Sequence, residues 1–331
     1  MTHLIKIKPS NHTFEADESE SLLDAALRGG LSISYRCTTG ACGECKARVV
    51  SGQYQFDASH DYKLTEAEKN QNVILMCSVH ANSDLVIEAQ EARSPADIPR
   101  QRIAGRVAKL EKIGSDHIVL HARTPRSQTL RFLAGQYVTL SLDGAPSRDM
   151  AVASCPCNGM VLQFHVQRDD NDSFADCVFH HLTTGSNVII EGPFGEFTLD
   201  EESRRPIVMV AQDTGFAPMK SLVEHAIALD LQQSMLLFWV AGADKAHYLS
   251  NYCRSWEDAL DRFVYIPLTL SAAKDLDVAY AEIVQQIISR SPIESEIDLY
   301  LATPSPLGNL IADAFSAKGT PRSRIAITGT C

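Results

Sequence analysis

Apolar and polar residues alternate over positions 3–8 and 13–16, which predicts two half-buried strands joined as a hairpin. The period then lengthens to that of a helix around 22–28, with Gly29-Gly30 as its stop. Residues 47–50 and 85–88 read as strands, and between them Thr65 opens a short helix. Positions 90–102, with Pro95 and Pro99 among polar and charged residues, read as a linker. From Ile103 to about residue 200 the apolar runs are short and divided by turns, at 103–110, 117–122, 136–142, 161–167 and 188–191, with one helical segment at 174–182. Many short strands and a single helix predict a small antiparallel barrel. From Pro206 strand and helix alternate: 207–211 and 218–229, 236–240 and 248–259, 263–268 and 278–288, 299–302 and 307–317, then a last strand at 325–327. Apolar strands in such units predict a parallel sheet covered on both faces. Pro218 and Pro306 suit first helical positions, Ser305 suits the cap before the latter, and Gly319 its end.

A chain of 331 residues exceeds one ordinary core and fits two or three. The net charge of -11 argues against nonspecific binding to nucleic acid or anionic membranes, favours solubility, and leaves docking on a basic protein partner open. No apolar run approaches the roughly 18 residues of a membrane span. The start Met1-Thr2-His3-Leu4-Ile5-Lys6 has no signal-peptide core, so a cytoplasmic location is expected.

Nine cysteines change the picture. Three lie in Tyr35-Arg36-Cys37-Thr38-Thr39-Gly40-Ala41-Cys42-Gly43-Glu44-Cys45 at C-x4-C-x2-C spacing, and Cys77 follows in Leu75-Met76-Cys77. Cys37, Cys42, Cys45 and Cys77 can hold the two irons of a [2Fe-2S] cluster, and Gly40 and Gly43 let the backbone aim N–H groups at sulfur, which tunes the reduction potential. Structural zinc or a group of free thiols are the competing readings. Zinc sites usually carry paired C-x2-C knuckles, and only one short pair is present. The remaining Cys155, Cys157, Cys177, Cys253 and Cys331 form no disulfide framework, as a reducing compartment predicts.

On these residues the first 92 positions resemble a plant-type ferredoxin, whose hairpin and helix open a β-grasp. The whole chain resembles single-chain reductases of the ferredoxin-NADP reductase superfamily, of the CDP-6-deoxy-delta-3,4-glucoseen reductase and oxygenase-reductase types. The resemblance implies a multidomain α+β and α/β fold: a β-grasp ferredoxin domain over 1–92, a linker over 93–102, an antiparallel flavin-binding β-barrel over 103–202 and a parallel-sheet nicotinamide-binding domain over 203–331. Leu133-Ala134-Gly135-Gln136-Tyr137 and Glu191-Gly192-Pro193-Phe194-Gly195 look like framework motifs of that barrel. The activity implied is that of an NAD(P)H-dependent flavin and iron–sulfur oxidoreductase serving a partner oxygenase, hydroxylase or dehydrase. Nicotinamide gives up two electrons as hydride and the cluster takes one, so a flavin is needed between them. The competing class is a [2Fe-2S] electron carrier whose reductase-like domains serve as a docking scaffold.

The family's Arg-x-Tyr-Ser strand is matched by Arg148-Asp149-Met150-Ala151. Arg148 suits a flavin phosphate and Met150 can cover the ring through its sulfur, whereas Ala151, at the flavin edge, has no hydroxyl to donate. A second family contact, His165-Val166-Gln167, offers mostly backbone groups, with His165 expected to be a packed strand residue without a proton-transfer role. The third, a Gly-x-x-Ser turn setting the pyrophosphate at a helix start, is matched by Asp172-Ser173-Phe174-Ala175; Asp172 brings a carboxylate there and is also a good cap. Weak FAD binding, through Arg148 and backbone groups, is expected. The nicotinamide motif Gly-Gly-Thr-Gly reads Gln212-Asp213-Thr214-Gly215, leaving Thr214 and Gly215 to offer a hydroxyl and N–H groups. Cys-Gly-Pro becomes Ala302-Thr303-Pro304, with Thr303 and Pro304 as candidates, and the family's C-terminal aromatic is absent from Ile327-Thr328-Gly329-Thr330-Cys331. No arginine pair follows at Asp244-Lys245, which favours NADH over NADPH. No side chain is assigned a catalytic role.

Overall fold

The computed structural model describes residues 1–57, 63–243, 245–272, 275–292 and 296–329. The first unit runs β1 (Thr2–Lys8), β2 (Thr13–Asp17), α1 (Leu22–Arg28), β3 (Lys46–Ser51), β4 (Tyr54–Phe56), α2 (Glu66–Asn70), β5 (Val73–Leu75), β6 (Val79–Ala81) and β7 (Leu85–Ala89). Its main sheet has the order β2-β1-β7-β3-β5, with β1 parallel to β7, and β4 pairs with β6 apart from it. Alternation does what the pattern predicts: Ile5 and Ile7 of β1 turn inward with Phe14 and Ala16 of β2, and α1 covers them with Leu22, Leu23 and Ala26. Ser21 caps α1 by accepting from the Asp24 N–H, and Gly30, at φ 80°, follows its end. The three-residue strands β4, β5 and β6 are too short to show a period and escape the sequence pattern.

The second unit comprises β8 (Gln101–Ile113), β9 (His117–Arg123), β10 (Tyr137–Leu142), β11 (Arg148–Ala151), β12 (Val161–Gln167), α3 (Ser173–Asp176) and β13 (Asn187–Phe194). These six strands form one antiparallel sheet, β11-β10-β13-β8-β9-β12. The Ala153 N–H donates to the Gln163 carbonyl at 2.8 Å, bringing the two ends of the sheet together as a barrel around Leu120, Val138, Leu140, Leu162 and Phe164. The helical segment expected over 174–182 is α3 followed by a π turn, Cys177–His181. The linker is not loose: Ala92 and Ile98 pack with Leu133 of the barrel unit.

The third unit comprises β14 (Ile207–Gln212), α4 (Phe216–Ala228), β15 (Met235–Ala241), α5 (Ser250–Ala259), β16 (Phe263–Thr269), α6 (Leu276–Arg290), β17 (Asp298–Ala302), α7 (Ser305–Ala317) and β18 (Ile325–Thr328). The sheet β16-β15-β14-β17-β18 is parallel throughout, and every residue of central β14 is buried. One core lies under α4 and α5, the other under α6 and α7. Two expected helix starts are corrected. A 3-10 turn, Asp213–Gly215, carries the chain into α4 at Phe216, so Pro218 is the third helical residue. Pro304 occupies the cap position of α7, and Ser305 is its first residue and caps nothing. Proline is tolerated throughout a first turn because those N–H groups have no intrahelical acceptor. No helix among the described residues is long and apolar enough to cross a membrane.

Candidate functional site

The loop between α1 and β3 carries three cysteines, and the 3-10 turn after β5 presents Cys77 to them. The thiols meet as two pairs, Cys37 and Cys42 with sulfurs 3.1 Å apart, Cys45 and Cys77 at 3.3 Å. Gly40 and Gly43, at φ 74° and 77°, take the left-handed turn that only glycine adopts freely. The bend aims the Cys42 N–H at Cys37 Sγ (3.3 Å) and the Glu44 N–H at Cys42 Sγ (3.5 Å). The hydrogen bond between Cys45 and Cys77 brings the Cys77 thiol down to about 6 and, with burial, pushes that of Cys45 up. Paired thiols with N–H donors fit two irons, each taking two protein sulfurs. Among the described residues no group of three or more His, Cys, Asp or Glu converges on a single ion. Cys37 and Cys45 are buried, and Cys42 and Cys77 are partly exposed at the surface.

This loop rests on the barrel unit. The Thr38 N–H donates to the Arg126 carbonyl and the Thr129 N–H to the Arg36 carbonyl, both at 3.1 Å. Arg131 Nη1 reaches Ser34 Oγ at 3.0 Å. A methyl at Gly30 would stand 3.0 Å from Leu229, at the end of α4, so the first unit also abuts the third closely.

Between the barrel and the parallel sheet lies a cavity of 390 Å³. Its wall includes Arg148 and Met150 of β11, His165, Val166 and Gln167 of β12, Asp172, and from the other side Gln212, Thr214, Lys245 and Pro304. Arg148 does not face it as a free cation. Its guanidinium bonds the Asp172 carboxylate and lies over the Phe174 ring, 5.5 Å from its centre. The other Asp172 oxygen accepts the N–H groups of Phe174 (2.9 Å) and Ala175 (3.3 Å). The carboxylate therefore already engages the donors that suit a phosphate. Met150 and Val166 belong to the barrel core, as does Ala175. Ala151 pairs with Tyr137 in the sheet.

On the side of the parallel sheet, Asp213 holds a left-handed conformation (φ 48°) that glycine would adopt without strain. Its carboxylate accepts from the Gly242 N–H (3.0 Å) and pairs with Lys245 Nζ (3.3 Å), and its carbonyl accepts from Trp239 Nε1 (3.0 Å). Gly215 is buried at the entry to α4. Thr303 is fully buried with its hydroxyl unpartnered, under α7, where a methyl at Gly308 would stand 3.0 Å from that oxygen. Asp244 lies outside the described residues, as do Thr330 and Cys331. Sequence reasoning missed Tyr248, whose hydroxyl lies 2.7 Å from His165 Nδ1, and His117, stacked on Tyr248 at 4.1 Å. Nothing in the local pattern links residues so far apart.

Residues 5–82 match the family model of the 2Fe-2S iron-sulfur cluster binding domain. The CDP-6-deoxy-L-threo-D-glycero-4-hexulose-3-dehydrase reductase of Yersinia pestis is 32% identical over 264 residues, covering 80% of this chain and 79% of that protein. The chain belongs to the single-chain ferredoxin reductases. Reductase component 1 of terephthalate 1,2-dioxygenase from a Comamonas species is 30% identical over 80% of this ferredoxin reductase and 78% of its own length. Among solved structures, an Amycolatopsis cytochrome P450 reductase shares the fold at a TM-score of 0.59, with 23% identity and 98% of both chains covered. Phthalate dioxygenase reductase does so at 0.55, with 19% identity over 72% of this reductase and 70% of that chain.

Proposed function

We propose that this reductase draws electrons from NAD(P)H, passes them through FAD to a [2Fe-2S] cluster on Cys37, Cys42, Cys45 and Cys77, and delivers them singly to a partner oxygenase or dehydrase. The observation that carries this is the cluster loop hydrogen-bonded to the barrel through Arg36–Thr129 and Thr38–Arg126, which holds the thiol pairs and the interdomain cavity in one body. FAD supplies the chemistry that accepts a hydride and releases electrons one at a time. The chain's part is to bind and orient. Arg148 would hold a flavin phosphate once Asp172 yields it, Met150 and the strand His165-Val166-Gln167 of the cavity wall would border the ring, and Ala151, next to Met150 in β11, would lie toward its edge. The Phe174 and Ala175 N–H groups, now on Asp172, suit the same phosphate. Thr214 and Pro304, on the cavity wall, would border the nicotinamide, with Gly215 and Thr303 buried behind them. We assign the ferredoxin role to 1–92, the linker to 93–102, flavin binding to 103–202 and nicotinamide binding to 203–331. Lys245 is held by Asp213, and the NADH preference rests on the missing arginine pair. The described cysteines outside the cluster loop, Cys155, Cys157, Cys177 and Cys253, form no disulfide, which supports a cytoplasmic setting. Purified protein under anaerobic conditions tests the reading: NADH should bleach both flavin and cluster absorption. A cluster that dithionite reduces and NADH does not would leave an electron carrier in its place.

A further inference from the structure

Along β12, Leu162, Phe164 and Val166 point into the barrel core, which turns His165 outward against the parallel-sheet unit. There the imidazole is 2% exposed, tilted 24° from the plane of the Phe216 ring at 6.1 Å and edge-on to Tyr248. Nδ1 lies 2.7 Å from the Tyr248 hydroxyl, and Nε2 is buried with no partner, on a residue that lines the 390 Å³ cavity. Burial holds the imidazole neutral and the Tyr248 phenol protonated. Among the described residues the Tyr248 hydroxyl has no hydrogen-bond partner besides His165. If Nδ1 carried the proton, both the Tyr248 O–H and the Nε2 lone pair would be unsatisfied. With the Tyr248 O–H donating to Nδ1, only an Nε2–H remains over, and a buried donor of this kind calls for an acceptor.

We propose that His165 is a positioning residue whose Nε2–H donates a hydrogen bond to an acceptor on the edge of the flavin ring, a donor that Ala151 cannot supply. This rests on the flavin reading above. Its place on the barrel wall with Arg148 and Met150 favours the flavin over the other available acceptor, the carboxamide oxygen of the nicotinamide. Arg148 then answers the phosphate end of the cofactor and His165 the ring end.

The test uses the full chain, cluster-loaded and freed of flavin, titrated separately with FAD, riboflavin and NADH. Riboflavin has the ring without the phosphate. His165→Phe keeps the aromatic contact with Phe216 and loses the donor, and His165→Gln keeps a donor. The expected result is that His165→Phe weakens FAD and riboflavin alike by about tenfold and shifts the visible band of the bound flavin, with His165→Gln recovering part of both. Arg148→Ala should weaken FAD and spare riboflavin. Unchanged flavin affinity with an unshifted band in His165→Phe overturns the proposal. So does weakened NADH binding with flavin binding intact, which would give the donor to the carboxamide. Nitrogen NMR of His165 in the flavin-free wild type, where no variant has to fold, should find the proton on Nε2, and a proton on Nδ1 overturns it as well. Wild-type protein that binds no flavin in any form would sink the flavin reading itself, and the proposal with it.

Discussion

Arg148 and Asp172, 24 residues apart in the chain, meet in the cavity where a phosphate is expected. An anionic cofactor has to displace that carboxylate from both the guanidinium and the two N–H groups it caps. A hydrogen bond to a charged group is worth about 1.5–3 kcal/mol and about 1.4 kcal/mol is tenfold in affinity, so Asp172→Gly should tighten FAD binding by at least about tenfold. The lost cap costs only a few tenths of a kcal/mol when glycine replaces it. Arg148→Ala should nearly abolish binding. Fluorescence titration checks both, and tighter FAD binding by wild type than by Asp172→Gly would mean that the phosphate sits elsewhere. At the cluster, Cys42→Ser puts a harder oxygen where sulfur and its Glu44 N–H donor now stand, and should lose the [2Fe-2S] centre. Iron analysis and the visible spectrum decide this, with Cys155, Cys157, Cys177 and Cys253 variants expected to keep their iron.

At the scale of elements, the turn between β1 and β2 is tied to the start of the linker by His12 and Glu91, with Nδ1 2.7 Å from the carboxylate. The hydrogen bond to Glu91 raises the His12 pKa above its ordinary 6.5. For Glu91, burial pushes upward, but the hydrogen bonds from His12 and Ser10 win and hold it below 4.5. The signs oppose: the His12 contribution is whole below its unfolded pKa of 6.5 and fades as pH rises through the raised folded value. The Glu91 contribution is whole above 4.5 and fades as pH falls through the depressed one. The tie is complete between those two limits. Because His12 is 44% exposed, its worth is at most about 1 kcal/mol. Thermal melts of wild type should therefore lose stability from pH 6 to pH 8 relative to His12→Asn, and parallel curves for the two proteins would refute the assignment.

In the whole molecule, Arg131 is a buried cation that joins the barrel unit to the ferredoxin unit. Its backbone N–H and carbonyl both bond the Gln101 amide while its guanidinium reaches Ser34 across the junction. Arg131→Met would keep an apolar stem and lose the donor to the ferredoxin unit. The linker, which carries exposed Arg93 and Arg100, should then be cut by trypsin several-fold faster while iron content stays at the wild-type level. Equal cleavage rates would show that the backbone contacts of Arg36 and Thr38 hold the junction unaided.

The sequence by itself determined the proposed cluster ligands, because four thiols within a tight loop and one nearby turn are fixed by spacing and by two glycines. It also determined the succession of hairpin, barrel and strand–helix units, since period tells which face of an element is buried. Period does not tell what that face meets. That Asp172 would close on Arg148, that His165 would keep one nitrogen unpartnered beside Tyr248, and that Arg36 and Thr38 would seat the cluster loop on the barrel were decided only when the three units packed. These contacts join residues far apart in the chain, and their energies depend on distances that no local pattern encodes.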